Sequence, residues 1–180
     1  MNQAQQEPPL LNEQKGLKLK GLKPLVYADT RLVILGSFPG QASLDAKEYY
    51  AFKRNHFWSI VGDLINCPDL KDSTYQQKKA VLKKHKIGLW DVYASCYRVG
   101  SLDVNITHGE PNDLSLLAKK AKDLRLIAHN GATSAKFKKI TKQLGVDVIQ
   151  LPSTSPANAS WSYARKLDAW RDVFVRAGVV

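Results

Sequence analysis

Short apolar runs separated by amphipathic stretches set the rhythm of the chain. Residues 31–36 (RLVILG), 87–92 (IGLWDV), 124–129 (LRLIAH) and 146–151 (VDVIQL) are brief and rich in Val, Ile and Leu. That composition is the mark of strands buried on both faces. Helical periodicity fills the intervals. A helix is predicted from Ser43, an N-cap residue followed by Leu44. A stronger one spans 55–65, with Phe57, Ile60, Val61 and Leu64 on one face. Residues 74–86 form a lysine-rich surface helix carrying Val81 and Leu82, and 112–122 a helix opened by an Asn-Asp pair. Asn130 and Gly131 make a turn into a helix over 132–144, and the last helix covers 160–176 with Leu167, Trp170 and Phe174 on one side.

Strands that alternate with helices predict an α/β fold: a three-layer α/β/α sandwich with a central, mainly parallel four-stranded sheet. Residues 1–20, rich in Gln, Glu, Pro and Lys, read as a flexible tail, and 21–180 as one domain without internal repeats. In such sheets ligands bind beyond the carboxyl ends of the strands. Those ends are 36–40, 91–96, 130–131 and 152–158.

Charge narrows the partner. Lys and Arg number 27 against 16 Asp and Glu, a net charge of +11 over 180 residues. Such an excess suits a polyanion, nucleic acid first, although a basic surface also serves solubility alone. Cys67 and Cys96 have no paired spacing, so no iron–sulfur cluster, zinc site, other metal site or disulfide framework is expected, and no cofactor. The N-terminus lacks the pattern of a secretory signal and no apolar run reaches membrane-spanning length. The expectation is an intracellular protein, cytoplasmic or nucleoid-associated, and a monomer without a membrane partner.

Three segments could carry chemistry. GSFPGQAS, after the first strand, can bring backbone N–H groups close to a ligand, and equally makes an ordinary tight turn. It lacks the Gly-Lys-Ser/Thr of a phosphate loop and the third glycine of the dinucleotide fingerprint, which disfavours a nucleotide-binding α/β protein. LPSTSPANAS offers hydroxyls and small residues before a helix, suited to a phosphate backbone or simply to capping. YYAFKRNHFW mixes aromatics with Lys53, Arg54, Asn55 and His56, a pattern that stacks bases and holds phosphates, while Phe57 and Trp58 read as core.

Together these segments resemble the uracil-DNA glycosylase superfamily, and most closely its hypoxanthine-DNA glycosylase branch. LGSFPG resembles the first motif, a Gly-x-Asp/Asn-Pro loop; YYAFKRNHFW resembles a Phe-Ala-x-x-x-Asn-x-Phe-Trp stretch; GLWDVYASCYRVGSLD and LIAHNGATSAKF resemble the second motif and the fourth-strand region; LPSTSPANAS resembles the DNA-clamping loop. The resemblance implies a monofunctional enzyme that hydrolyses the N-glycosidic bond of a deaminated base, hypoxanthine foremost, in DNA. Phe38 stands where the superfamily's water-activating Asp or Asn usually stands, and Ser153 where several relatives carry a His. The resemblance transfers the catalytic role to Asn55, which also reads as a helix N-cap. It assigns base binding to Gly36, Ser37, Phe38, Gly40, Tyr50 and Asp91. Tyr50 would stack on the extruded base and Asp91 accept from its ring N–H, against plain readings as a partly buried aromatic and a structural acid. Ser153, Thr154, Ser155, Ala157 and Asn158 would hold the strand, with Ala157 or Asn158 at the wedge position. A uracil-preferring enzyme of the same fold and a non-catalytic nucleic-acid-binding module are the alternatives.

Overall fold

The computed structural model describes residues 17–180. In chain order the elements are β1 (Leu19–Lys20), β2 (Leu32–Gly36), α1 (Gln41–Ala46), α2 (Phe57–Leu64), α3 (Tyr75–Lys84), β3 (Ile87–Asp91), β4 (Tyr93–Tyr97), β5 (Thr107–Pro111), α4 (Leu116–Lys120), β6 (Leu126–Asn130), α5 (Ala132–Ala135), α6 (Lys138–Thr141), β7 (Asp147–Leu151) and α7 (Tyr163–Ala177). The four predicted strands form one sheet in the order β3-β2-β6-β7, and every pairing in it is parallel.

The inner strands β2 and β6 are buried along their whole length, which their apolar runs require once helices cover both faces. Alternate side chains divide between two cores. Leu32, Ile34, Leu89 and Ala128 meet Phe57 and Ile60 of α2, Leu82 of α3, and Trp170 and Phe174 of α7. Val33, Leu35, Trp90 and Ile127 meet Leu117 of α4 and Phe137 on the opposite face. The result is the expected three-layer sandwich. Phe57 and Trp58 are core, as their spacing indicated.

Several boundaries differ from expectation, each for a local reason. The tail was expected to reach residue 20, yet Leu19–Lys20 pairs antiparallel with β4; residues 1–16 lie outside the described residues. A second sheet, β1-β4-β5, is the largest departure. THGEP of β5 has little strand propensity beyond Thr107 and depends on pairing with β4 at an exposed edge, where proline is tolerated. Helix α1 starts at Gln41, capped by Gly40, and Ser43 lies buried inside it. The helix expected over 112–122 shrinks to α4, because the Asn112 side chain donates back to Asp91 O (2.8 Å) and Asp113 accepts from Ser115. The helix expected over 132–144 breaks at Phe137, whose ring packs edge-on against Tyr93 (5.2 Å, 89°). The final helix starts at Tyr163, with Ser162 as N-cap accepting from Arg165 N–H.

Candidate active site

The carboxyl ends of the four parallel strands open into a cleft of about 1470 Å³, far more than one base occupies, so flanking nucleotides also have room. Gly36, Tyr50, Asn55, Asp91, Asn130 and the 151–158 loop all border it. Register sets its floor, because Gly36 ends β2 directly beside Asp91 at the end of β3. A Cβ on Gly36 would collide with Asp91 Oδ1 and come within 3.3 Å of the Tyr50 hydroxyl, so Asp91 and Tyr50 converge over a bare Cα. Gly36→Ala should therefore displace the buried Asp91 carboxyl, lower stability by about 1–3 kcal/mol and depress activity with it. Thermal melts and rate measurements on the same preparation check this, and an unchanged melt with full activity contradicts the packing.

Tyr50 is held in an unusual backbone state. Its φ is +54°, the left-handed region that non-glycine residues avoid, at a cost of about 1–3 kcal/mol. Its neighbours supply the constraint: Ser43 Oγ accepts from Ala51 N–H (3.1 Å), and Trp58 Nε1–H donates to Tyr49 O (3.0 Å). The ring lies flat on Phe57, with centroids 3.9 Å apart and planes 15° apart. Its hydroxyl accepts from Asn130 Nδ2 (3.1 Å). The same amide donates to Thr154 Oγ1 (3.0 Å), and its oxygen accepts from Thr154 N–H (3.0 Å). A backbone N–H can only donate, so this last bond fixes which end of the amide is oxygen. Thr154 O in turn accepts from His56 N–H (3.0 Å). Asn130 and Thr154 thus tie three segments together: the aromatic platform, the Asn55 segment and the 151–158 loop.

Asn55 serves the helix start, as its plain reading anticipates, and lines the cleft as well. Its Oδ1 accepts from Phe57 N–H (2.9 Å) and so serves the open start of α2. Its Nδ2 has no protein partner among the described residues, a second lone pair remains on the capping oxygen, and the residue lines both the cleft and the smaller pocket beside it. Capping the helix fixes the amide without consuming its capacity to hold a water.

Phe38 cannot take part in polar chemistry. Its ring is 6% exposed and lies beneath the Arg98 guanidinium, 5.2 Å from the centroid. Arg98 is itself buried and donates to the carbonyls of Pro39 and Gly100 (3.0 Å for the latter). Ser37, expected at the base, turns its hydroxyl to Asp103 Oδ1 (2.8 Å).

Asp91 is 4% exposed, and its Oδ2 finds no hydrogen-bond partner. The plain reading, a structural acid held by backbone amides, thus lacks support at that oxygen. Burial first, and then the Asp103 charge, push its carboxyl pKa up to about 7, with Arg98 opposing. Such an acid binds a proton on folding between its ordinary value of 3.8 and about 7, so native stability falls as pH rises through that window. The full effect is on the order of 4 kcal/mol. Asn cannot titrate, so the stability of Asp91→Asn relative to wild type should grow from pH 4 to pH 7 and then level off. Buried His129, neutral with a pKa lowered to about 4, acts with the opposite slope but is common to both proteins and cancels in the difference. A stability gap independent of pH would contradict a perturbed Asp91.

The 151–158 loop carries the expected strand-gripping residues, with one correction. Thr154 is fully buried and both its polar groups are engaged, so it braces the loop from within and cannot reach a DNA strand. Ser153 and Ser155 are half-buried and shape the loop by accepting from Ser155 N–H and Ala157 N–H, 3.2 Å each. Ala157 is exposed at the tip, while Asn158 folds back to donate to Ser153 O (3.2 Å). Behind the loop, Lys53, Arg54, His56 and Lys166 line a smaller basic pocket. Lys166 is 1% exposed, donates to Ser155 O (3.3 Å), and burial lowers its pKa. No lysine borders the main cleft among the described residues.

Asn130, Arg98, Asp103 and Ser43 are given no site role in the sequence analysis. Asn130 had a usable signal, since it ends a buried parallel strand. Arg98 and Asp103 stand within the segment that resembles the second motif, but their roles depend on the second sheet and its connection, which the sequence pattern does not reveal.

A cleft at the carboxyl ends of a parallel sheet is where α/β folds of many kinds bind their ligands, and comparison with known proteins decides among them. The family model of the uracil DNA glycosylase superfamily matches residues 24–174, and the chain belongs to that superfamily. It is 36% identical over 160 residues to a hypoxanthine DNA glycosylase of Methanosarcina barkeri, an alignment that covers 89% of this chain and all of that protein. A hypoxanthine DNA glycosylase of Methanosarcina acetivorans is 36% identical over 155 residues, covering 86% of this chain and 97% of its own. The solution NMR structure of a candidate uracil DNA glycosylase from Methanosarcina acetivorans superposes with a TM-score of 0.81 at 34% identity, over 90% of this chain and 99% of the other.

Proposed function

We propose that this protein is a monofunctional DNA glycosylase that releases hypoxanthine from deoxyinosine and leaves an abasic site. The observation that carries this reading is the convergence of Tyr50, Asp91 and Asn55 on one cleft bordered by no lysine among the described residues. Basic surface, including the lysines within residues 78–86 and 136–142, draws in the DNA. The damaged nucleotide leaves the stack, at a cost of a few kcal/mol that is least for a mispaired base. The base lies over Tyr50, already backed by Phe57. Asp91 accepts from its ring N–H, and backbone N–H groups of the 36–40 loop meet the carbonyl that gains charge as the base departs. The C1′–N9 bond breaks and its electron pair leaves with the base. A water held by Asn55 bonds to the cationic C1′ and gives up a proton, which balances the departing base. A positioned amide suffices for this, because an oxocarbenium-like centre needs an oriented weak nucleophile and not a strong base.

Ser153, Ser155 and the exposed Ala157 face the strand, and the basic pocket behind them receives a phosphate. In this reading the protein acts as a monomer, on DNA of the nucleoid. Metal and cofactor have no step to perform in this scheme. Hypoxanthine and uracil both present a ring N–H beside a carbonyl, so a uracil-preferring enzyme is the second reading. Oligonucleotides carrying deoxyinosine or deoxyuridine, single- and double-stranded, separate the readings after alkali treatment. Cleavage at deoxyinosine supports the proposal. Cleavage at deoxyuridine alone moves the substrate, and no cleavage with salt-sensitive DNA binding retained leaves a binding module.

A further inference from the structure

The connection between β4 and β5 carries an apolar tip that the base-releasing steps do not use. Eight large hydrophobic side chains are exposed among the described residues. Three of them, Val99 (71%), Leu102 (53%) and Val104 (87%), fall within the six residues 99–104. The tip is also firmly built. Asp103 accepts from Ser37, Ser101 Oγ accepts from Gln41 N–H (3.0 Å), and Asn105 Nδ2 donates to Val99 O (3.1 Å). A segment pinned this well could have turned its apolar groups inward, yet it presents them to solvent.

Its position gives them a use. Leu102 and Val104 border the same cleft as the 151–158 loop. They are fastened to the loop that follows β2, whereas the 151–158 loop follows β7, and β6 lies between those two strands. Strand spacing puts the ends of β2 and β7 about 10 Å apart. The 151–158 rim has only Ala157 at its tip, and Asn158 is bonded back into its own loop. A vacated base stack needs a bulky apolar filler, of the kind that wedges between base steps in other DNA-distorting proteins. The rim that possesses one is the opposite rim.

We infer that Leu102 and Val104 form the wedge that enters the duplex where the damaged nucleotide is extruded, replacing the small residues of the clamping loop in that task. The inference rests on the glycosylase reading. It makes the wedge necessary only where a partner strand and stacked neighbours must be held apart, so its signature is a dependence on strandedness.

The test is Leu102→Ser combined with Val104→Ser. Both side chains are solvent-exposed, so the fold should tolerate the change, and a thermal melt verifies it. The expected result is a fall of about 10-fold or more in release of hypoxanthine from duplex deoxyinosine, with single-stranded release within about 2-fold of wild type. An equal fall on both substrates, or no fall on either, overturns the wedge. A second readout needs no catalysis: a duplex holding an abasic-site analogue beside 2-aminopurine. Wild type should raise its fluorescence by unstacking the reporter, and the double variant should bind without doing so. Equal fluorescence from both proteins overturns the inference. Failure of the glycosylase reading itself would show differently, as wild type that releases no base from either strand form.

Discussion

Asn55→Ala is expected to slow base release by about 10³-fold while leaving DNA affinity nearly unchanged. The amide keeps free hydrogen-bonding capacity at the cleft, whereas Ser37 and Asn130 are committed to Asp103 and to Thr154 and Tyr50. Phe38, buried beneath Arg98, offers no polar atom in the loop after β2. Alanine also removes the acceptor for Phe57 N–H, which should lower stability by about 1 kcal/mol. Two further variants separate the roles. Asn55→Ser keeps a capping oxygen but is too short to hold a water over C1′, so stability should return without activity. Asn55→Asp keeps the cap and both lone-pair directions, so it should recover stability and a substantial part of the rate. Single-turnover kinetics with a parallel binding titration check this. A serine variant as active as wild type would confine Asn55 to capping.

The second large effect belongs to a residue that never touches the base in this scheme. Asn130→Ala removes all three hydrogen bonds that join Tyr50 to the clamping loop. Thr154 is fully buried, so its N–H and hydroxyl are left with neither protein nor water. Each such orphan costs about 1–3 kcal/mol, and a total of about 2–4 kcal/mol is expected. In a domain of this size that lowers Tm by about 5–15 °C. Activity should fall as well, because the stacking ring loses its lateral tether and the His56–Thr154 link its support. Thr154→Val, which keeps the N–H but not the hydroxyl, should cost about 1 kcal/mol. The double variant should be little worse than Asn130→Ala alone, since both act on one network. Additive losses in the thermal melts would show that the network is not a unit.

What the sequence revealed followed its strongest signals. The four apolar runs read as strands, the edge strand β7 being the one left partly exposed, and their alternation with helices pointed to the parallel sheet, its two helical layers and the cleft at its strand ends. Gly36, Tyr50, Asn55 and Asp91 all came to that cleft. The polar wiring was not legible in the same way. Asn130 looked like half of a turn because Asn-Gly usually is one; only the fold shows that Gly131, at φ +95° with Ser153 against its Cα, makes the turn and frees Asn130 to tether the loop. Thr154 looked like one more hydroxyl in a polar loop, whereas burial gives it a bracing task. The sheet β1-β4-β5 escaped because its strands are held by pairing and not by pattern, and with it went Arg98, Asp103 and the apolar tip at 99–104.

The most direct test of the central claim is to incubate the wild-type protein, in excess, with a deoxyinosine oligonucleotide and follow both products by mass. The account predicts free hypoxanthine and an otherwise intact strand bearing one abasic site, cleavable only after alkali. An unchanged strand with no free base, or a strand cut by the protein itself without alkali, would contradict it.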